Sequence, residues 1–391
     1  MKKIAIVMCT IALAAFSFVS CSKKNAPANA SAGKTGKAAE PAMKIAMVTD
    51  YGDITDQSFN QTTYQACKEY AEAAKLDFKY YKPSGDSTEA RVSSINAAIQ
   101  DGYNVVVLPG FAFAEAIVKT VDDNDDVHFI GLDVSEFDLI SSAEAMGKAN
   151  WRLPKNAFCA VYAEEIPGFF AGYAAVKEGF THLGFLGGMA VPAVIRYGFG
   201  FVQGCNQAAT EMEIADKVTV EYVYGGQFFG DQAITAAMDG WYQQRKVEVV
   251  FACGGGIWTS ACEAAAKTNG KVIGVDVDQA ALINNYGAGM CVTSAMKGLS
   301  ATVKATLKAI QDKSFDSVYA GKISNLGLVS DTDLDANFVA LPTATWSMKN
   351  FTVDQYKQMV KDVYAKKIRI SNDTGDMPSH KINVNVYPNI K

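Results

Sequence analysis

The sequence predicts an α/β protein of two lobes, each a parallel sheet wound on both faces by helices. Three observations carry the prediction. Short apolar runs alternate with helix-like stretches from Lys44 to Asp276. Most runs are apolar at every position, as strands buried on both faces must be. The chain has 391 residues, more than one ordinary core holds.

Taken in order, residues 44–49 form a strand and 57–74 a helix with Asp56 as N-cap. A strand follows at 76–81, then a helix at 87–101 capped by Asp86 or Ser87. Residues 104–108 form a strand before Pro109-Gly110, 112–123 a helix, and 127–132 a strand ending at Asp133. A second run has strands at 158–162, 182–186, 218–224, 247–252 and 272–275. Helices at 167–177, 193–211, 232–242 and 259–267 lie between them. This alternation specifies parallel strands joined by crossover helices. Lobe 1 is expected over 44–161 and lobe 2 over 162–291. Lobe 1 is short of strands, so the strand and helix of 292–310 are expected to return and complete it, closing near 320. Residues 321–391, with a helix at 353–365, then complete lobe 2. Two or more such crossings make a hinge.

The first twenty residues stand outside this pattern. Lys2 and Lys3 precede an apolar stretch from Ile4 to Phe18, and Ser17-Phe18-Val19-Ser20-Cys21 follows. That is the layout of an export signal ending in a lipobox, with Cys21 as the lipid-bearing residue of the mature chain. An ordinary secretory signal or an uncleaved anchor is the alternative. Residues 21–43 are rich in Lys, Ala, Ser and Gly with no apolar period, a flexible tether. The expected location is the outer face of a cell membrane.

The net charge is −5, and the first 43 residues hold six lysines against one glutamate, so the remainder is more acidic still. An acidic body argues against nucleic acid as a partner. The six cysteines beyond Cys21 are scattered without a CxxC pair, so neither a metal site nor a cofactor is expected, and buried thiols are the plain reading.

Ligands of open parallel sheets sit beyond the carboxyl ends of the strands. Asp50, Pro109-Gly110, Asp133, Gly187-Gly188, Gly254-Gly255-Gly256 and Asp276 each follow a strand. Any one of them serves equally as a turn or cap residue. Six together, spread over both lobes, favour a cleft between the lobes. Phe59 and Asn60, in the first turn of a helix, offer a flat ring and a paired donor and acceptor. That suits a nucleobase; a core ring and a capping amide are the alternatives.

Several motifs in order resemble the basic membrane protein family, with its PnrA-like purine nucleoside receptors. They are Gly52-(x)3-Asp56-x-Ser58-Phe59-Asn60-Gln61, Gly184-Phe185-Leu186-Gly187-Gly188-Met189-(x)2-Pro192, Gly200-Phe201-Val202-Gln203-Gly204, Ile273-Gly274-Val275-Asp276-Val277-Asp278-Gln279 and Thr293-Ser294-(x)2-Lys297. The resemblance implies a type-I periplasmic-binding fold, a lipid-anchored substrate-binding protein of an ABC importer, and a permease as partner. It implies Asp50, Phe59, Asn60 and Asp133 as first-lobe contacts. Asp276 matches a carboxylate that accepts from ribose hydroxyls, and Lys297 a lysine beside it or a structural ion pair. The second stacking ring is expected at Phe229, chosen over Phe228. Gly254 and Gly255 bring backbone close to the ligand. Trp258 adds a stacking face or fills the core, and with Arg196 and Tyr197 it departs from the nucleoside branch.

Other functions use the same residues. Riboflavin or another aromatic or sugar-bearing solute fits the same fold, as does a ligand sensor. Asp50, Asp53 and Asp56 resemble the calcium-binding aspartates of nucleoside hydrolases, but their spacing splays them on a strand-to-helix turn. The three histidines are isolated and no nucleophile motif occurs, so no catalysis is expected.

Overall fold

The structure is a computed structural model that describes residues 42–50 and 52–391. The expected export segment, Cys21 and nearly all of the tether lie outside the described residues. Among the described residues no helix is long and apolar enough to cross a membrane.

The chain starts with β1 (Lys44–Val48), α1 (Phe59–Ala74), β2 (Asp77–Tyr81), α2 (Thr88–Gln100) and β3 (Val105–Pro109). It continues with α3 (Ala114–Thr120), β4 (His128–Leu132), α4 (Glu136–Ala145) and β5 (Ala157–Tyr162). It then enters a second layered body: α5 (Glu165–Glu178), β6 (His182–Gly187), α6 (Pro192–Glu211), β7 (Thr219–Tyr224) and α7 (Gln232–Asp239). There follow β8 (Val249–Cys253), α8 (Trp258–Ala265), β9 (Lys271–Asp276), α9 (Ala280–Ile283) and β10 (Cys291–Lys297). The remainder is α10 (Leu299–Gln311), α11 (Phe315–Val318), β11 (Lys322–Leu326), β12 (Val339–Ala340), α12 (Val353–Tyr364) and β13 (Asn383–Val386).

Two sheets result. The first has the order β11-β5-β4-β3-β1-β2, and the second β12-β10-β9-β8-β6-β7-β13. Every pairing is parallel except β10 with β12. The inner strands are buried along their length; β3 and β8 have no exposed position. That is why their sequences are apolar throughout.

The chain passes between the sheets three times: from β5 to α5, from β10 to α10, and from β11 to β12. One expectation is corrected here. The strand at 292–297 pairs with β9 in the second sheet, not with the first. Only the helix after it, α10, crosses back, to pack on α1. The first sheet is completed by β11, which lies beside β5. An apolar parallel strand fits either sheet by composition, and its register with β9 decides. The helix α4, which the sequence reading passed over, caps itself through Ser135, whose hydroxyl accepts from the Asp138 N–H.

Helices α5 and α6 meet backbone to backbone. A Cβ on Gly200 would lie 2.2 Å from the Glu165 carbonyl oxygen, so only glycine fits there. This contact holds the third turn of α6 against the first turn of α5. The six cysteines in the described residues are all buried as free thiols.

Candidate functional site

The carboxyl ends of the strands of both sheets converge on one cavity. The first lobe supplies Asp50, Phe59, Asn60 and Asp133 to its wall, and the second supplies Phe228, Gly254, Gly255, Asp276 and Lys297.

Asp50 leaves β1 and is buried. Its Oδ1 accepts from the Gly52 N–H at 2.7 Å. Burial pushes its carboxyl up to about 6, against the pull of that hydrogen bond.

The helix α1 begins at Phe59, and its N-cap position is Ser58 rather than the expected Asp56. The two residues divide the work. Asp56 accepts from the N–H groups of Ser58 at 2.9 Å, Asn60 at 2.9 Å and Gln61 at 3.0 Å, satisfying donors that a helix start leaves open. Ser58 is thereby freed, and its hydroxyl donates across the cleft to Asp276 Oδ2 at 2.5 Å. Phe59 and Asn60 are left facing the cavity. Asn60 is buried, and its Oδ1 has no partner among the described residues. Such an atom is costly unless something donates to it.

Asp133 and Asp276 end β4 and β9 with φ of +58° and +67°, left-handed positions that aspartate tolerates better than most residues. Between them lies Lys297 at the end of β10. Its ammonium is 2.6 Å from Asp133 Oδ2, 3.5 Å from Glu164 Oε1 and 3.8 Å from Asp276 Oδ1. It also stands 4.7 Å from the centre of the Phe59 ring. Burial works against the Lys297 charge, but the three carboxylates outweigh it and hold its pKa above the ordinary lysine range. Burial likewise raises the carboxyls of Asp133 and Asp276 against the pull of Lys297. Asp133 Oδ1, like Asn60 Oδ1, has no partner among the described residues.

Two expected residues are not on the wall. Phe229 is 61 % exposed and points away; its neighbour Phe228 lines the cavity instead. Phe228 is fixed by space: a Cβ on Gly188 or Gly254 would come within 2.5 or 2.9 Å of its ring. Trp258 is buried outside the cavity, edge-on to Tyr286. Its Nε1 donates to the Asp56 carbonyl at 3.3 Å, a bond from one lobe to the other. A third bond of this kind runs from Gln279 Nε2 to the Gln57 carbonyl at 3.0 Å.

Sequence reasoning missed the role of Glu164. It is fully buried and accepts from Arg196 Nε at 2.7 Å, while Lys297 lies on its other oxygen. The signal was present: Glu164 follows a strand end, as Asp50, Asp133 and Asp276 do. Arg196 reaches the cavity from the first turns of α6. The three aspartates considered for calcium take separate tasks. Asp50 binds its own turn, Asp53 pairs with Lys82, and Asp56 caps α1.

Such a cavity offers an aromatic ring from each lobe, buried carboxylates and acceptors unpartnered among the described residues, an arrangement that can hold a solute. Comparison with known proteins agrees. The profile of the family described as "ABC transporter substrate-binding protein PnrA-like" matches residues 43–374. The chain is similar to the ABC transporter nucleoside-binding protein BmpA of Lactococcus lactis subsp. cremoris (strain MG1363), with 26 % identity over 94 % of this chain and 96 % of that protein. It is similar to Basic membrane protein A of Borreliella burgdorferi, with 23 % identity over 82 % and 84 %. Among solved structures, an ABC transporter solute-binding protein of Aeropyrum pernix K1 superposes with a TM-score of 0.63 at 20 % identity, covering 85 % of this chain and 88 % of that one. A periplasmic solute-binding protein of Actinobacillus succinogenes 130z with bound D-allose superposes with a TM-score of 0.56 at 14 % identity, covering 81 % and 100 %. These structures share the type-I periplasmic-binding fold. The relatives are solute-binding proteins rather than enzymes, and the chain belongs to the PnrA-like family of ABC-transporter substrate-binding proteins.

Proposed function

We propose that the chain captures a purine nucleoside of the adenosine, guanosine or inosine class between its lobes and presents it to an ABC permease, held at the membrane by lipid on Cys21. The supporting observation is a single cavity lined by a phenylalanine from each lobe, Phe59 and Phe228, with Asp276 buried at its wall. Two rings suit a flat base, and base–aromatic stacking is worth roughly 1–3 kcal/mol per base. Asn60 Oδ1 and Asp133 Oδ1 accept from the base or sugar, and Asp276 accepts from ribose hydroxyls. An analogue lacking those hydroxyls leaves a buried carboxylate short of donors and binds more weakly. The nucleoside-binding relative from Lactococcus supports the same ligand class.

Calorimetry with adenosine, guanosine and inosine, beside mass spectrometry of small molecules carried through native purification, tests the ligand. Binding of at least one nucleoside, and loss of affinity for its 2′,3′-dideoxy analogue, are expected. A co-purifying flavin with no nucleoside binding would overturn the reading. For the anchor, Cys21→Ser should move the protein from the membrane fraction to the soluble one. A variant that stays with the membrane would reject lipid at Cys21.

A further inference from the structure

The family match ends at residue 374 and leaves out β13 and the residues after it. This segment adds a parallel edge strand to β7, with Asn383 opposite Thr219 and Val386 opposite Tyr222. It then runs on past the end of β7. The Tyr387 N–H donates to the Tyr222 carbonyl and the Ile390 N–H to the Tyr224 carbonyl, each at 2.9 Å. That path leads to the loop from Gly225 to Asp231, the loop that carries Phe228.

The contacts at its far end are specific. The Lys391 ammonium pairs with Asp231 and lies 3.3 Å from Gln227 Oε1. Gln227 Nε2 donates to the Phe229 carbonyl and to Asp231 Oδ2, each at 3.0 Å. Gly226 has φ of +86°, and a Cβ there would lie 2.7 Å from the Lys391 carbonyl oxygen. The loop and the tail are thus pressed together around the peptide that presents Phe228.

The attachment of β13 is separate from this contact. Glu221, buried on β7, accepts from Tyr387 Oη at 2.5 Å, and Arg245 stands 4.7 Å from the Tyr387 ring centre. Removing residues 388–391 therefore leaves the Tyr387 ties of β13 in place, and takes away the Ile390 N–H bond to Tyr224 and the packing of Ile390 on the core around Val223 and Ile234.

We propose that residues 388–391 brace the Phe228 loop and that Lys391 is a positioning residue for ligand binding. The inference rests on the reading of Phe228 as a stacking ring. With the brace in place, Phe228 is held at the cavity wall before ligand arrives. Without it, the loop must be ordered each time ligand binds, and ligand leaves faster.

The test compares the full chain with a variant lacking residues 388–391, using two readouts. The first is hydrogen exchange without ligand at the Gly225, Gly226 and Asp231 amides, which bond to Gly187, Gly188 and Ser260. Their exchange should quicken by roughly fivefold or more, as loss of about one net hydrogen bond implies, while α12 and β6 keep theirs. Unchanged exchange in the loop would overturn the proposal. The second is the dissociation rate of inosine, expected to rise roughly three- to tenfold, with Lys391→Arg close to the full chain. Faster loop exchange with an unchanged inosine off-rate would leave the brace without a part in binding and so overturn it. If the full chain binds no nucleoside, the function reading fails, and the exchange result still judges the brace. If the shortened chain folds poorly, Lys391→Glu, which places a like charge on Asp231, takes its place with the same expected results.

Discussion

The loop before α1 and the loop after β7 each deliver a phenylalanine to the same cavity, yet they are held in opposite ways. Residues 56–58 are tied across the cleft, by Trp258 to Asp56, Gln279 to Gln57, and Ser58 to Asp276. Residues 225–231 are tied within their own lobe. The Phe228 carbonyl accepts from the Gly256 N–H at 2.8 Å, and the Asp231 N–H donates to Ser260 Oγ at 2.9 Å. The difference separates two tasks. Phe228 is a platform whose place does not depend on the other lobe. Phe59 follows a loop that is also tied within its own lobe through Asp56, but three of its bonds reach the other lobe and so need both lobes in place.

The largest expected effect comes from the residue between the two. Lys297→Met leaves Asp133, Glu164 and Asp276 crowded without their shared ammonium. Breaking a buried charge network from one side typically costs ~3–5 kcal/mol, read by urea unfolding. A loss well below that would mean the two halves of the site do not depend on a common charged centre.

The next effect sharpens the contrast within one loop. Phe228→Ala should weaken nucleoside binding by about tenfold or more, in line with stacking energies of ~1–3 kcal/mol, while Phe229→Ala changes it by less than about twofold. Calorimetry on both variants decides; equal effects would remove Phe228 from the site. Asp50 gives a test confined to the first lobe. Burial raises its carboxyl from 3.8 to about 6. Between those values the folded chain keeps a proton that the unfolded chain has lost. Its contribution to stability is therefore unfavourable above about pH 6 and fades as pH falls toward 4. Asp50→Asn should remove up to about one proton from the pH dependence of unfolding in that window. An unchanged slope would show that Asp50 is not desolvated.

The smallest effect tests the ties across the cleft. Trp258→Phe keeps an aromatic ring and deletes the bond to Asp56. One net hydrogen bond of ~0.5–1.5 kcal/mol implies roughly two- to tenfold weaker binding, beside the loss of stability that a smaller ring in a buried place brings. Unaltered affinity would mean that this tie does not contribute to closure.

The sequence exposed much of this architecture because buried parallel strands are apolar through their interiors, and β3, β8 and the inner residues of β6 and β9 stand out on that ground. Asp50, Asp133 and Asp276 were visible for a related reason: short acidic residues end strands, and the last two also tolerate the left-handed turn. What stayed hidden depends on partners far along the chain. Composition cannot tell which sheet β10 joins. Phe228 and Phe229 are adjacent and alike, and the space above Gly188 and Gly254 chooses between them. Trp258 looks like a stacking face until the Asp56 carbonyl is brought beside it. Glu164 and Arg196 are separated by all of α5, β6 and the start of α6, and neither alone signals a pair.

The three chain passages between the sheets have a mechanical consequence. Two bodies joined along three neighbouring threads can tilt toward each other about one line, but they resist sliding and twisting. If the proposed nucleoside lies between Phe59 and Phe228, its thickness sets the angle at which the lobes stop. A thicker guest would then keep Trp258 from reaching Asp56, and a thinner one would let the lobes meet with the rings out of contact. Shape is read, in effect, as the degree to which a door shuts.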